Sequence, residues 1–258
     1  MKCRLCANEC TEVHQATILS KYLVKYYSCN TCHLLQTEEP YWFEEAYANP
    51  MNLTDTGIMY RNHYMSDVAS AILGLFFNKK ATFLDYAGGY GVFTRLMRDK
   101  GFDYLWYDPF TQNVLARGFE YDSTTARPIE LLTTFETFEH FYHPPEDLAK
   151  MLAITTNILF TTELANEPAP APEKWWYYGL EHGQHISLYR KETLQFIAKE
   201  YNLNLYSHRN VHLLTKKKIP QALFIAIVRQ PKVFSFLGRK GLKSLHYSDM
   251  LLLSPKKA

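Results

Sequence analysis

The sequence predicts an α/β protein, a doubly wound and mostly parallel sheet covered by helices, with a small cysteine-held ribbon in front of it. Three observations lead there. All five cysteines fall within the first 32 residues, apolar runs alternate between strand-like and helix-like from residue 81, and a glycine-rich turn closes the first of those runs. Such alternation argues for a parallel sheet with helices on both faces. At 258 residues and 47% hydrophobic content, the chain can hold one α/β domain of about 200 residues plus an appendage.

The ribbon is expected over residues 1–36. Cys3-Arg-Leu-Cys6 and Cys29-Asn-Thr-Cys32 are two C-x-x-C pairs with 22 residues between them, a spacing at which each pair supplies half of a tetrahedral thiolate site. Zinc suits four soft thiolates at about 2.3 Å. The β-prone stretch ILSKYLVKYYSC lies between the pairs. A piece of about 35 residues cannot bury enough apolar surface to fold unaided, so the metal is read as structural. Neither pair opens a helix after a strand, as a thioredoxin-like redox pair would, and Cys10 and His33 are read as bystanders.

Residues 37–80 read as a helical connector, with aromatics at Tyr41, Trp42, Phe43 and Tyr47 followed by the helical pattern DVASAILGLFF. The central domain is placed at 81–230. ATFLDYAGG reads as strand and turn, VFTRLMRDKG as a helix closed by Gly101, and DYLWYD as the second strand. ELLTTFE and NILFTTEL read as strands around the helix PEDLAKMLAIT, and KETLQFIAKEYN as a helix before LNLYSH; ALFIAIV is the last apolar run. The prolines of NEPAPAPEK make a stiff extended loop.

Residues 231–258 form a basic tail. From residue 208 onward there are eleven Lys/Arg and one acid, Asp249, so the net charge of +2 hides a basic end and an acidic remainder. That asymmetry speaks to partners rather than fold. It leaves open a solvated face, a site for phosphates, or, over KVFSFLGRKGLKSL, an amphipathic helix on a membrane surface or a partner. The N-terminus lacks an apolar leader, and no run approaches the roughly 18 apolar residues of a membrane span. A cytoplasmic protein is expected.

The segment Phe83-Leu84-Asp85-Tyr86-Ala87-Gly88-Gly89-Tyr90-Gly91 has the form strand, acid, glycine-rich turn, helix. Glycines let the backbone approach a ligand, and the helix N-terminus can hold a carboxylate. Seventeen residues beyond Gly91, the second strand ends in Asp108, where a carboxylate can accept hydrogen bonds from ribose hydroxyls. The turn resembles motif I, D-x-G-x-G-x-G, of class I methyltransferases, matched at Asp85, Gly89 and Gly91 with Ala87 in the first glycine's place. The following run Phe135-Glu136-Thr137-Phe138-Glu139-His140, ahead of Pro144, resembles the same family's strand, acid and Glu-His pair. The resemblance implies a Rossmann-like fold that binds S-adenosylmethionine through Asp85, Ala87, Gly88, Gly89, Gly91 and Asp108, with Phe135 and Glu136 at its sulfonium end. Asp122 is either an adenine contact or an ordinary loop acid.

Ligands of open α/β sheets collect outside the carboxyl ends of the strands, where the loop Trp175–Tyr189 is expected to emerge. Its aromatics can stack on an acceptor, and its histidines titrate near neutrality. His182 or His185 is the expected proton acceptor, with Glu181 orienting or polarising one of them; the other reading is a lid whose polar groups satisfy backbone. His140 and His143 read as a structural cap before Pro144.

The run Cys29–Gln36 resembles the zinc-binding domain fused to sugar C-methyltransferases, with His33 where that family has glycine. Gln184-His185-Ile186-Ser187-Leu188-Tyr189 is similar to the family's active-site run, with Gln184 in place of an acid and His182 at a tyrosine position. The resemblance spans residues 1 to about 230 without the family's long C-terminal domain. It implies methyl transfer to a small acceptor, a sugar or nucleotide-sugar carbon or hydroxyl. Two other readings stand beside it: an RNA base methyltransferase, for which no Asn/Asp-Pro-Pro-Tyr-like motif is present, and a non-catalytic interaction module.

Overall fold

The computed structural model describes residues 1–48, 55–124 and 127–255. Residues 49–54 of the expected connector, 125–126 of the central domain and 256–258 of the tail lie outside the described residues.

The ribbon begins with a hairpin of β1 (Cys10–Ile18) and β2 (Tyr22–Cys29), paired antiparallel from Cys10↔Cys29 to Ile18↔Tyr22. Leu19 and Ser20 in its turn both take left-handed φ, 52° and 53°, the geometry that matches the twist of the flanking strands. β3 (Leu35–Thr37) adds to β2. The connector supplies α1 (Phe43–Ala46) and the long α2 (Ile58–Phe76).

The main sheet is built from β4 (Thr82–Tyr86), β5 (Asp103–Tyr107), β6 (Ile129–Phe135) and β7 (Ile158–Thr161), all parallel. Its helices are α3 (Val92–Asp99) after β4 and α4 (Pro144–Ile154) before β7. β8 (Ser187–Leu188), α5 (Lys191–Glu200), β9 (Asn204–His208), β10 (Val211–Thr215), α6 (Gln221–Arg229), α7 (Pro231–Gly238) and α8 (His246–Leu253) complete the chain. The sheet order is β5-β4-β6-β7-β10-β9, with β10 antiparallel to both of its neighbours. Every residue of β7 and β10 is buried, as expected for strands covered on both faces.

Two apolar layers sandwich this sheet. On one face, Val68, Ala69, Ile72 and Leu73 of α2 pack with Phe93 and Met97 of α3 and with Phe224, Ile227 and Val228 of α6. On the other, Leu148 and Met151 of α4 and Leu194, Ile197 and Ala198 of α5 pack with Cys3, Cys29, Cys32 and Leu34 of the ribbon. The α/β reading with parallel strands and helices on both faces therefore holds.

Three local features go beyond the sequence reading. β10 follows β9 after the turn residues Arg209 and Asn210, with Arg209 at φ 55°; its buried His212 interrupts an otherwise apolar run, and that run was not assigned as a strand. The apolar run ALFIAIV is α6, where burial at Phe224, Ile227 and Val228 follows helical spacing. The tail is two helices rather than one. α7 ends at Gly238, which rests on α2 so closely that a Cβ at Gly74 would sit 2.1 Å from the Gly238 carbonyl oxygen. α8 is anchored by Asp249, which bonds Arg98 at 2.7 Å and Arg95 at 2.8 Å.

The ribbon and main domain meet at the expected reacting loop. β8 joins the ribbon sheet by pairing with β3, Leu35↔Leu188 and Gln36↔Ser187. The Arg4 guanidinium donates to the carbonyls of Ile186 (3.1 Å) and Thr37 (2.9 Å), and the Trp42 indole N–H to that of Gly183 (2.8 Å). Among the described residues no helix is long and apolar enough to cross a membrane.

Candidate active site

The four ribbon thiols Cys3, Cys6, Cys29 and Cys32 come together with all sulfurs within 4.8 Å of one another. Cys3 and Cys32 lie 3.5 Å apart and Cys6 and Cys29 3.4 Å, far longer than a disulfide at about 2.05 Å and close to the roughly 3.8 Å edge of a tetrahedral thiolate set with 2.3 Å bonds. Backbone N–H groups of Leu5, Thr31 and Cys32 point at the sulfurs of Cys3 and Cys29 at 3.4 Å. Each C-x-x-C pair ends in a left-handed residue, Ala7 at φ 58° and His33 at φ 61°, whose N–H returns to the carbonyl of the first cysteine, Cys3 or Cys29. That conformation is why glycine suits the position after such a pair. Cys10 is not part of the four-sulfur group.

The glycine-rich turn leaves β4 at the carboxyl end of the parallel strands. Asp85 is buried, accepting the Thr94 hydroxyl at 3.0 Å and the Thr133 hydroxyl at 3.3 Å. Burial pushes its pKa up to about 7 against those hydrogen bonds. Ala87 adopts φ 57°, Gly89 φ 53° and Gly91 φ 83°. A side chain at Gly88 would strike Trp106 at 2.7 Å and Asp85 at 2.8 Å, whereas one at Gly89 would meet nothing within 4 Å. The turn is thus packed tightly behind and open in front.

Asp108, at the end of β5, accepts the Gly89 N–H on one oxygen at 2.9 Å and the N–H groups of Phe110 and Thr111 on the other at 2.8 Å. A carboxylate has about four lone-pair positions, so the free one sits on the oxygen beside Gly89. Phe135 packs edge-on against Phe93 at 4.8 Å. Glu136, at φ 50°, accepts the Thr161 hydroxyl at 2.7 Å. Asp122 is exposed and accepts from Thr124 in its own turn.

Beyond the turn, His140, His182 and His185 form a cluster, His185 lying 5.1 Å from His140 and 4.7 Å from His182 between ring centroids. Nδ1 of His185 lies 2.6 Å from the Tyr177 carbonyl. A carbonyl only accepts, so that nitrogen carries the proton and Nε2 the lone pair. Nδ1 of His140 lies 3.2 Å from the Gln184 carbonyl and 3.0 Å from the Tyr47 hydroxyl, which sets the same tautomer. Nδ1 of His182 instead accepts the Gln184 N–H at 3.1 Å, which puts its proton on Nε2. The His182 ring lies across the α-carbon of Gly179, where a Cβ would be 2.4 Å away. Burial lowers the pKa of all three histidines, that of His140 to about 4.

Glu181 is exposed beside His182. The buried acid of the cluster is Glu139, which the sequence reading placed in the Glu-His pair without giving it a role. Its carboxylate oxygens have no hydrogen-bond partner of normal geometry, although the Tyr177 and Thr162 hydroxyls are near enough to favour its ionised form. Burial and the charge of Glu136 push its pKa well up. The signal in the sequence was an acid set between Phe138 and Phe141, aromatic positions that read as core. His143 stands at the N-terminus of α4, its carbonyl accepting from Glu146 and Asp147.

No curated protein matches the chain. Among solved structures, the chain is similar to magnesium protoporphyrin IX methyltransferase (ChlM) from Synechocystis PCC 6803 with bound SAH, at 12% identity and a TM-score of 0.43, over 67% of this chain and 92% of that one. It is similar to TnmH at 16% identity and a TM-score of 0.42, over 67% and 60% of the two chains. It also resembles an O-methyltransferase family 2 protein from Planctomyces limnophilus DSM 3776, at 15% identity and a TM-score of 0.41, over 65% and 62%. A family model described as a methyltransferase domain matches residues 60–208, more than half of the chain, and the chain belongs to that family.

Proposed function

We propose that the protein transfers a methyl group from S-adenosylmethionine to a small acceptor, a sugar or nucleotide sugar. The observation that carries the reading is the turn between β4 and α3, closed behind by Trp106 and Asp85, open in front of Gly89, and clamped by Asp108. Asp85, Ala87, Gly88, Gly89, Gly91 and Asp108 would hold the cofactor, and Phe135 and Glu136 would border its reactive end. When bound, the cofactor supplies a methyl group on a positive sulfonium.

The chain's own task is to place the acceptor oxygen or carbon in line and deal with its proton. Of the expected acceptors of that proton, the geometry favours His185, whose Nε2 carries the lone pair. His182 presents an N–H at Nε2 and is suited to donate a hydrogen bond to the acceptor. Glu181 acts on His182 only through its charge. The aromatic loop Trp175–Tyr178 would exclude water from the sugar face.

We assign zinc to the four ribbon thiolates, a closed structural site, and read residues 1–36 as the ribbon, 37–80 as connector, 81–230 as catalytic domain and 231–258 as tail. The sugar acceptor is supported by the likeness of the ribbon and of the run Gln184–Tyr189 to sugar C-methyltransferases. The test is calorimetric titration with S-adenosylmethionine and its demethylated product. Binding by the wild type that is lost in Asp108→Ala supports the cofactor site, and an acceptor screen then begins with nucleotide sugars. A wild type that binds neither overturns the reading.

A further inference from the structure

We propose that Glu139, His140 and His185 bind a divalent first-row transition ion with open coordination positions, and that the methyl acceptor is held on that ion through an oxygen. One donor atom from each of the three residues lies within 4.8 Å of the others. Around such an ion, with bonds of about 2.1 Å, neighbouring donors stand about 3.0–3.4 Å apart, so the three groups would draw together on binding it.

Three features point to an ion rather than to a hydrogen-bonded cluster. The Glu139 side chain is fully buried, and among the described residues neither oxygen has a hydrogen bond of normal geometry, the Tyr177 and Thr162 hydroxyls being the nearest donors; a carboxylate so poorly met is costly to bury unless a cation meets it. Each imidazole is turned by its Nδ1, His185 toward the Tyr177 carbonyl and His140 toward the Gln184 carbonyl. Carbonyls beyond the metal fix metal-bound histidines in this way, leaving Nε2 to the ion. Glu136 is close enough to act electrostatically on Glu139.

Two imidazoles and one carboxylate suit Mn, Fe, Co or Zn better than Mg or Ca, whose sites are built from oxygen. Three protein ligands leave positions for the acceptor, and an acceptor with two adjacent oxygens, such as a vicinal diol or a hydroxyl beside a carbonyl, fits them best. The site deepens the methyl-transfer reading and rests on it only for the identity of the bound oxygen. With Nε2 committed to the ion, His185 no longer takes the acceptor's proton itself; the ion lowers the pKa of the bound hydroxyl so that its proton can leave to solvent.

The test uses the full chain with zinc already in the ribbon and cobalt(II) as probe. The proposal expects a second metal equivalent after desalting, with weak visible bands of nitrogen and oxygen ligation and no new sulfur-to-cobalt charge transfer. Glu139→Gln and His185→Ala should each lose that equivalent while keeping the ribbon metal, which also reports that they fold. In the wild type itself, cobalt should shift or broaden the ring resonances of His140 and His185. One metal per chain, a second equivalent that survives both substitutions, or unperturbed rings with cobalt bound overturns the site. Loss of the metal with intact S-adenosylmethionine binding would leave the cofactor reading standing, and the reverse result would separate them the other way.

Discussion

Replacing Asp85 with asparagine isolates the electrostatic cost of the glycine-rich turn. Asp85 is 2% exposed, and burial raises its pKa from the ordinary 3.8 to about 7. That rise corresponds to about 4 kcal/mol against the ionised form in the folded protein. Between about pH 4 and pH 7 the folded state holds a proton that the unfolded chain has lost, so the wild type loses stability as pH rises through that window, by about 1.4 kcal/mol per pH unit, and levels off above it. Asparagine carries no such charge; its amide oxygen can still accept the Thr94 hydroxyl, while its NH2 faces the oxygen of Thr133, whose proton turns to the Leu84 carbonyl at 3.2 Å. Urea unfolding of both proteins, ribbon metal present, is the assay. The stability of Asp85→Asn relative to wild type should grow by about 3 kcal/mol between roughly pH 5 and pH 8. A difference that stays constant across that range would refute the reasoning, because Asp85 would then ionise as an ordinary carboxylate.

Other expectations follow from the same geometry. His33→Gly should stabilise the ribbon by about 1 kcal/mol, the order of the left-handed penalty it removes, read as a higher thermal midpoint. Gly74→Ala puts a methyl group against the Gly238 carbonyl and should destabilise by about 1–3 kcal/mol, measured by chemical denaturation. Burial raises the pKa of Asp249, but the guanidiniums of Arg98 and Arg95 outweigh it and hold the carboxyl below its ordinary value. Its contribution is therefore present above the ordinary carboxylate range and lost as pH falls through the folded value. Asp249→Ala leaves the buried Arg98 with Asp103 as its remaining carboxylate and should cost about 1–3 kcal/mol near neutral pH. Chelating the ribbon metal should speed amide exchange over residues 180–189 before residues 83–91, as seen by mass spectrometry, because β8 is paired to β3 whereas β4 is paired within the main sheet.

What the sequence disclosed depended on whether the determining interaction is local. The four thiols were legible because C-x-x-C spacing sets a half-site within a few bonds, and the glycine turn because its left-handed residues and the acid before it lie within seven positions. His182 and His185 were legible as residues of the loop, but their tautomers are set by the Tyr177 carbonyl and the Gln184 N–H, which no periodicity reveals. Glu181 was singled out through adjacency to His182, yet the turn leaves it in solvent. Glu139 lies 46 positions from His185 along the chain, and long-range bonds bring the two segments together: Ile186 N–H to the Glu139 carbonyl at 2.9 Å, His140 Nδ1 to the Gln184 carbonyl at 3.2 Å and the Ser187 hydroxyl to the Phe141 carbonyl at 2.8 Å. β10 escaped for a related reason, since buried His212 becomes tolerable only when Ser207 and the Thr162 carbonyl take up its two nitrogens.

The ribbon's place in the molecule follows from these long-range bonds rather than from its cysteines. A closed thiolate site has no chemistry to offer, but the strand that follows it, β3, carries β8 on its free edge, and β8 begins two residues after His185. Arg4, between Cys3 and Cys6, spends its guanidinium on the carbonyls of Ile186, Thr37 and Glu38, so the first C-x-x-C pair is tied directly to the histidine loop. Trp42 and the Ala46 carbonyl hold Gly183 and the Gln184 side chain from the connector. A loop of this length without such ties would sample many conformations, and each lost constraint would loosen the positions of His182 and His185 relative to Glu139. On the proposed reading the ribbon is thus one wall of the reacting centre, and its stability sets how firmly the imidazoles are aimed.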